Sequence, residues 1–250
     1  MTHPLFYSTD VTGASSGQLV YLDPAGSAHA VRSQRLTRAD PVFVSDGAGT
    51  MAQGFIDVVD PQRTGIHLET VTVHSPPAVR FNLIQALAKG DRDLLAAEMA
   101  TELGVDAVTP WQAQRSIVRI RPDRAAKMRS KWEAKLHAAA QQSRRAFIPE
   151  LGELVQADAI ANLHAPQTGA YVIALHEDGR DTLQQAVAGM SESVRRIYVV
   201  VGPEGGVSPD ELAAVEAAGG STVKIGTNVM RSSTAGPVAI ALLNQLFNRW

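Results

Sequence analysis

Apolar positions along the chain follow two different periods, and the change falls at Pro76-Pro77. Before that pair the apolar runs are short: residues 19–22 (LVYL), 41–44 (PVFV), 54–59 (GFIDVV) and 65–73 (GIHLETVTV). Turn sequences DPAG, SDGAG and DPQRTG separate them. The spacing predicts five short strands with no long amphipathic helix, the pattern of a small barrel. After the proline pair, strand and helix patterns alternate. Residues 80–87, 107–111, 170–178, 197–202 and 221–226 read as strands. Residues 89–104, 127–144, 182–190, 208–219 and 233–247 read as helices, the second with apolar positions at Met128, Trp132, Leu136, Ala139 and Ala140. Such alternation predicts a mostly parallel sheet covered on both faces, hence an α/β fold with domains over 1–75 and 76–250.

Composition narrows the class. With 45% hydrophobic and 19% charged residues, the 250-residue chain is ordinary globular material. It has no cysteine, which excludes a disulfide framework and a cysteine-based metal site, and no metal is expected. The first residues, MTHPLFYSTDV, lack the basic and apolar segments of a signal peptide. No stretch reaches the roughly 18 apolar residues of a membrane helix. The expectation is a cytoplasmic protein without a membrane partner.

Net charge is −2, yet the charge is segregated. Residues 115–145 carry 10 basic side chains against only Asp123 and Glu133, while both flanks are acidic. Such a run is an electrostatic footprint suited to phosphates, and its alternative is a solvated helix face.

The chemistry concentrates in three loops that follow predicted strands. Residues 202–206 (GPEGG) match neither the dinucleotide fingerprint nor the P-loop, and no lysine follows. Ser208, Pro209 and Glu211 predict a capped helix start. With Asp210 and Glu204 nearby, that start reads as too acidic for phosphate, which favours a neutral or cationic ligand. The other two loops are residues 176–179 (HEDG) and 226–234 (GTNVMRSST). Loops at the carboxyl ends of strands are where open α/β sheets bind ligands, so the three predict one shared pocket.

These residues carry a resemblance. VVVGPEGGVSPDEL and IGTNVMRSSTA are similar to the IGPEGGFS-x-x-E and LGPRILRTETA motifs of the ribosomal RNA small subunit methyltransferase E family, within the knotted SPOUT methyltransferases. The 29–49 stretch, KGD with ATELG at 89–104, Arg115-Ser116, and 132–149 resemble further family segments in the same order. The resemblance implies an N-terminal PUA-like β-barrel that binds RNA and a C-terminal SPOUT domain with a trefoil knot. It also implies methylation of uridine N3 in 16S rRNA with S-adenosyl-L-methionine, and a homodimer packed through the knot.

Carried over, the family's cofactor residues fall on Leu175, His176, Gly202, Pro203, Glu204, Gly205, Gly206, Ile225, Gly226, Val229, Met230 and Arg231. Arg231 is the candidate for stabilising charge on the uracil oxygens; Glu204 is a candidate proton acceptor or a holder of its loop. RNA contacts are expected from Arg35, Arg115, Arg119, Arg121, Lys127, Lys131, Arg144 and Arg145. The chain departs from the family at Thr227, Asn228 and Ser233, where proline, arginine and an acid are usual, and at Arg144, where glycine is. The rival readings are another SPOUT methyltransferase, acting on ribose or tRNA, and a non-catalytic RNA-binding or ribosome-assembly factor.

Overall fold

Residues 3–157, 160 and 169–250 are described in the computed structural model. The chain divides into two units, residues 1–76 with 140–148, and residues 77–139 with 149–250.

The first unit contains β1 (Leu5–Tyr7), β2 (Leu19–Tyr21), the short α1 (Pro24–Ala28), β3 (Pro41–Ser45), β4 (Thr50–Val58) and β5 (Gly65–Val73). Its sheet runs β1-β3-β4-β5-β2, antiparallel except for the β1–β3 pair. Alternate residues of β4 are buried (Thr50, Ala52, Gly54, Ile56), as period-two patterning requires of a sheet with one covered face. Of these, Ala52 and Ile56 pack with Phe6, Val11, Val42, Val44, Ile66 and Leu68. The edge strands are tied by side chains: Ser8 Oγ donates to Tyr21 O at 2.7 Å, and Tyr21 N donates to Asp10 Oδ2 at 3.3 Å. Residues 140–148 join this unit through backbone groups. Gly49 N donates to Ala146 O at 3.0 Å and Ile148 N to Gly47 O at 2.9 Å. Tyr7 Oη donates to Arg145 O at 2.9 Å, and burial raises its pKa, which keeps the phenol a neutral donor.

The second unit contains β6 (Arg80–Ala86), α2 (Arg92–Glu102), β7 (Ala107–Gln112) and most of α3 (Ala125–Gln142). There follow β8 (Glu150–Leu151), β9 (Val155–Gln156), β10 (Ala170–Leu175), β11 (Asp181–Thr182) and α4 (Leu183–Ala188). The chain ends with β12 (Arg196–Val201), α5 (Pro209–Ala217), β13 (Ser221–Lys224) and α6 (Ser232–Leu246). The sheet order is β11-β13-β10-β12-β6-β7-β8, with β9 also on β7, and every described pair in it is parallel. This is the expected α/β architecture. Successive residues of β12 serve opposite faces. Ile197, Val199 and Val201 pack with Leu83, Trp132, Leu136 and Ile240, while Val200 packs with Ile84, Trp111 and Val215. Both faces are therefore dry, which is why these strands read as continuous apolar runs.

Two details bear on function. The helix expected from residue 89 begins instead at Arg92, because Gly90 (φ 64°) and Asp91 (φ 57°) are left-handed and break it. At the other end of the chain, Arg249 donates twice to Asp106, each bond 3.0 Å, and Asp106 also accepts from Phe81 N at 2.7 Å. Among the described residues no helix is long and apolar enough to cross a membrane.

Candidate functional site

The site is built by register. In the sheet β10 lies between β13 and β12, with Leu175 opposite Val223 on one side and Val201 on the other. Parallel strands in this register end at one level, so their following loops stand side by side. Residues 176–179, 202–208 and 225–231 are those loops, and together they enclose a cavity of about 540 Å³. That volume lies within the range of small-molecule sites.

Each wall has a local cause. Gly206 N donates to Pro203 O at 2.9 Å, closing a four-residue turn with Gly206 at φ 74°. A Cβ on Gly202 would stand 2.9 Å from Val207 N, so only glycine lets the loop fold onto itself there. On the first loop, His176 N donates to Val223 O at 3.0 Å, and His176 Nδ1 accepts from Asp178 N at 3.1 Å. On the third, Arg231 is the N-cap of α6, with extended backbone (φ −64°, ψ 151°) and no side-chain cap bond. Arg231 lines the cavity, whereas Ser233 is buried in the first turn of α6 and does not line it.

All twelve residues singled out for cofactor contact line this one cavity, from Leu175 and His176 through residues 202–206 to Ile225, Gly226, Val229, Met230 and Arg231. The departures Thr227 and Asn228 line it as well. Sequence reasoning missed Arg92 and Lys224, which complete the charged lining with Glu177 of the 176–179 loop. Position at the carboxyl end of a predicted strand was the available signal for Lys224; Arg92 had none.

The electrostatics correct one expectation. The sequence crowds the helix start with Glu204, Asp210 and Glu211, but only Glu204 lines the cavity. Glu211 is buried and its carboxylate is spent elsewhere: Oε2 accepts from Ser208 N and Oε1 from Gln114 N, both at 2.8 Å. The capping box is present as expected, and it engages an acid that does not line the cavity. Glu204 is also engaged. Its Oε1 accepts from Lys89 N at 3.1 Å, with Arg92 Nη1 at 3.5 Å. The lining thus carries Arg92, Arg115, Lys224 and Arg231 against Glu177 and Glu204, an excess of cations. Asp93, next to Arg92 in the chain, accepts from Leu94 N at 2.9 Å, and its burial raises the carboxyl pKa.

The basic run is divided. Arg115 lines the cavity and donates to Gly205 O at 3.2 Å. Arg119 donates to Gln114 O at 2.8 Å, while Arg121 and Lys127 are exposed beyond it. Lys131 pairs with Asp91 at 2.7 Å, Lys135 with Glu98 at 2.9 Å, and Arg129 with Glu133 and Glu153. The full run is therefore not one free phosphate surface, because carboxylates distant in sequence neutralise much of α3. Arg144 and Arg145 lie in the first unit, as does the exposed, left-handed Arg35.

Residues 75–244 match a family model described as an RNA methyltransferase domain. The chain is 34% identical to a ribosomal RNA small subunit methyltransferase E of Mycobacterium bovis, over 100% of this chain and 94% of that protein. To the protein of the same name from Bacillus subtilis it is 24% identical, over 86% of each. It is also similar to a crystal structure of a ribosomal RNA small subunit methyltransferase E from Neisseria gonorrhoeae bound to S-adenosyl methionine. There the TM-score is 0.82 and the identity 25%, over 98% of both chains. Full-length identity and the domain match agree, and the chain belongs to the ribosomal RNA small subunit methyltransferase E family.

Proposed function

We propose that this protein methylates N3 of a uridine in the 16S rRNA of the small ribosomal subunit, using S-adenosyl-L-methionine. The observation that carries this reading is the cavity at the ends of β10, β12 and β13, whose lining includes Arg231. The residues suit the cofactor. Leu175, Pro203 and Ile225 offer apolar surface for a purine, and glycines at 202, 205, 206 and 226 leave room for close backbone contact. When bound, the cofactor supplies an electrophilic methyl group on a cationic sulfur.

The chain supplies orientation and charge. Uracil N3 must lose its proton before it is a good nucleophile, and the Arg231 guanidinium is suited to stabilise the negative charge that then spreads to the uracil oxygens. Glu204 was open between proton acceptor and loop holder. Its bonds to Lys89 N and Arg92 favour the second, because they aim its carboxylate at the 202–206 loop's support. The N3 proton then leaves to solvent. Alignment of N3 with the methyl group completes the chain's share.

We further read the first unit as a PUA-like, RNA-binding barrel over residues 1–75, supported by the Ser8 and Asp10 bonds that join its edge strands. The rest of the chain, 76–250, is read as a SPOUT domain whose C-terminal segment threads the family's knot, acting as a cytoplasmic homodimer. RNA contact falls to Arg115, Arg119, Arg121 and Lys127, with contributions from Arg35, Lys131, Arg144 and Arg145. Mass mapping of rRNA from a deletion strain tests the activity. One N3-methyluridine should vanish and return with the wild-type copy; an unchanged map would refute the assignment.

A further inference from the structure

The loop that follows β7 holds an exposed apolar side chain between arginines. Ile117 is 59% exposed, whereas its neighbours Ser116, Val118 and Ile120 turn inward, the last two against the core. At that exposure most of the Ile117 side chain stands in water, where a partner can reach it.

The loop is pinned at several points. Gln114 N donates to Glu211 Oε1 at 2.8 Å, and Ile120 N donates to Gln112 Oε1 at 2.8 Å. Arg119 folds back onto Gln114 O, and Ser116 N donates to Ala113 O at 3.1 Å. Arg115 packs so closely that a Cβ on Gly205 would stand 3.2 Å from its own Cβ. These bonds hold the loop that carries Ile117, and two residues separate its Cα from that of the lining residue Arg115 by no more than about 7 Å.

Resting on the rRNA methyl transfer read above, we propose that Ile117 is a wedge. It enters the base stack beside the target uridine and fills the space that the extruded base leaves. Charge selects the occupant: Arg115, Arg119, Arg121, Arg124 and Lys127 surround Ile117 in sequence with only Asp123 among them, which suits a phosphate backbone. Rigid apolar wedges of this size unstack base steps in other nucleic-acid complexes, and an enzyme that acts on a base edge must first expose it. Ile117 is thus a positioning residue, acting on the RNA rather than on the reacting atoms.

The test uses the full chain and an RNA fragment spanning the uridine identified by mass mapping, with 2-aminopurine as the adjacent base. At saturating protein, the wild type should raise 2-aminopurine fluorescence severalfold. Ile117→Ala should lose that rise while still reaching saturation in anisotropy, and Ile117→Leu should restore it. Methyl transfer to isolated small subunits should fall at least tenfold in I117A and recover in I117L. Retention of the fluorescence rise in I117A, absence of any rise with wild type, failure of I117A to saturate, or a changed sedimentation coefficient would each overturn the wedge. Wild type that methylates no rRNA would instead refute the proposed function.

Discussion

Glu204 Oε1 accepts a hydrogen bond from the backbone N–H of Lys89 at 3.1 Å, and the Arg92 guanidinium lies 3.5 Å from the same oxygen. The loop after β12 is thereby held to the turn after β6. An amide at position 204 keeps the acceptor for Lys89 N and loses only the ion pair. E204Q should retain kcat within about threefold, while E204A, which loses both, should weaken cofactor binding by roughly tenfold, equivalent to about 1.4 kcal/mol. Calorimetry and single-turnover kinetics separate the two. A collapse of kcat in E204Q with cofactor affinity intact would make Glu204 the proton acceptor.

Arg231 caps α6 with its backbone only, and its side chain is exposed at the cavity. R231A should unfold at the wild-type temperature and bind the cofactor within about threefold. Its methyl transfer should fall by about 10²–10³, the usual loss when one charge-stabilising donor is removed. Lysine should recover part of the rate, because it restores charge without the planar fork. Unchanged turnover in R231A would remove this side chain from the chemistry.

Asp106 is buried, and Arg249 is its charged partner. R249A would leave that carboxylate without its cation and should cost about 3 kcal/mol in denaturant unfolding. Adding D106N should recover much of the loss, since the amide oxygen still accepts from Phe81 N. Equal stability of R249A and the double variant would show that the loss comes from packing over Phe81, whose ring lies 4.4 Å from the guanidinium.

Asp46 makes part of the first unit pH-sensitive. Partial burial raises its carboxyl pKa, but bonds from Thr50, Ala48 and Thr12 outweigh that and hold the net value below normal. A depressed folded-state pKa means stability that is present above the unfolded value, near 4, and lost as pH falls through the folded one. D46N should therefore be less stable than wild type at pH 7, by only a fraction of a kcal/mol because solvent screens this partly exposed group, and the gap should close as pH falls below about 4. A gap independent of pH would assign the loss to geometry rather than charge.

Periodicity and local chemistry alone determined most of the second unit. The alternating runs marked its main strands and helices, and continuous apolar strands such as residues 197–201 implied a sheet buried on both faces. Ser208 with Glu211 declared a helix start, because capping acts over four residues. Loops after predicted parallel strands were enough to group His176, Gly202 and Gly226, since strand direction decides which ends coincide.

Tertiary structure decided what depends on long-range approach. The strand order brought β10 between β13 and β12, and that adjacency turned three loops into one cavity. Glu211 belonged to an acidic cluster in the sequence; in the fold it binds Gln114 N and leaves the cavity with a cationic excess. Lys131 and Lys135 read as free charges until α2 and the turn before it supplied Asp91 and Glu98. Residues 140–148, continuous with α3 in sequence, joined the first unit through backbone bonds that have no sequence signature. Backbone propensity and capping act within a few residues and are written locally. Which carboxylate meets which cation depends on separations of tens to more than a hundred residues, and only packing settles that.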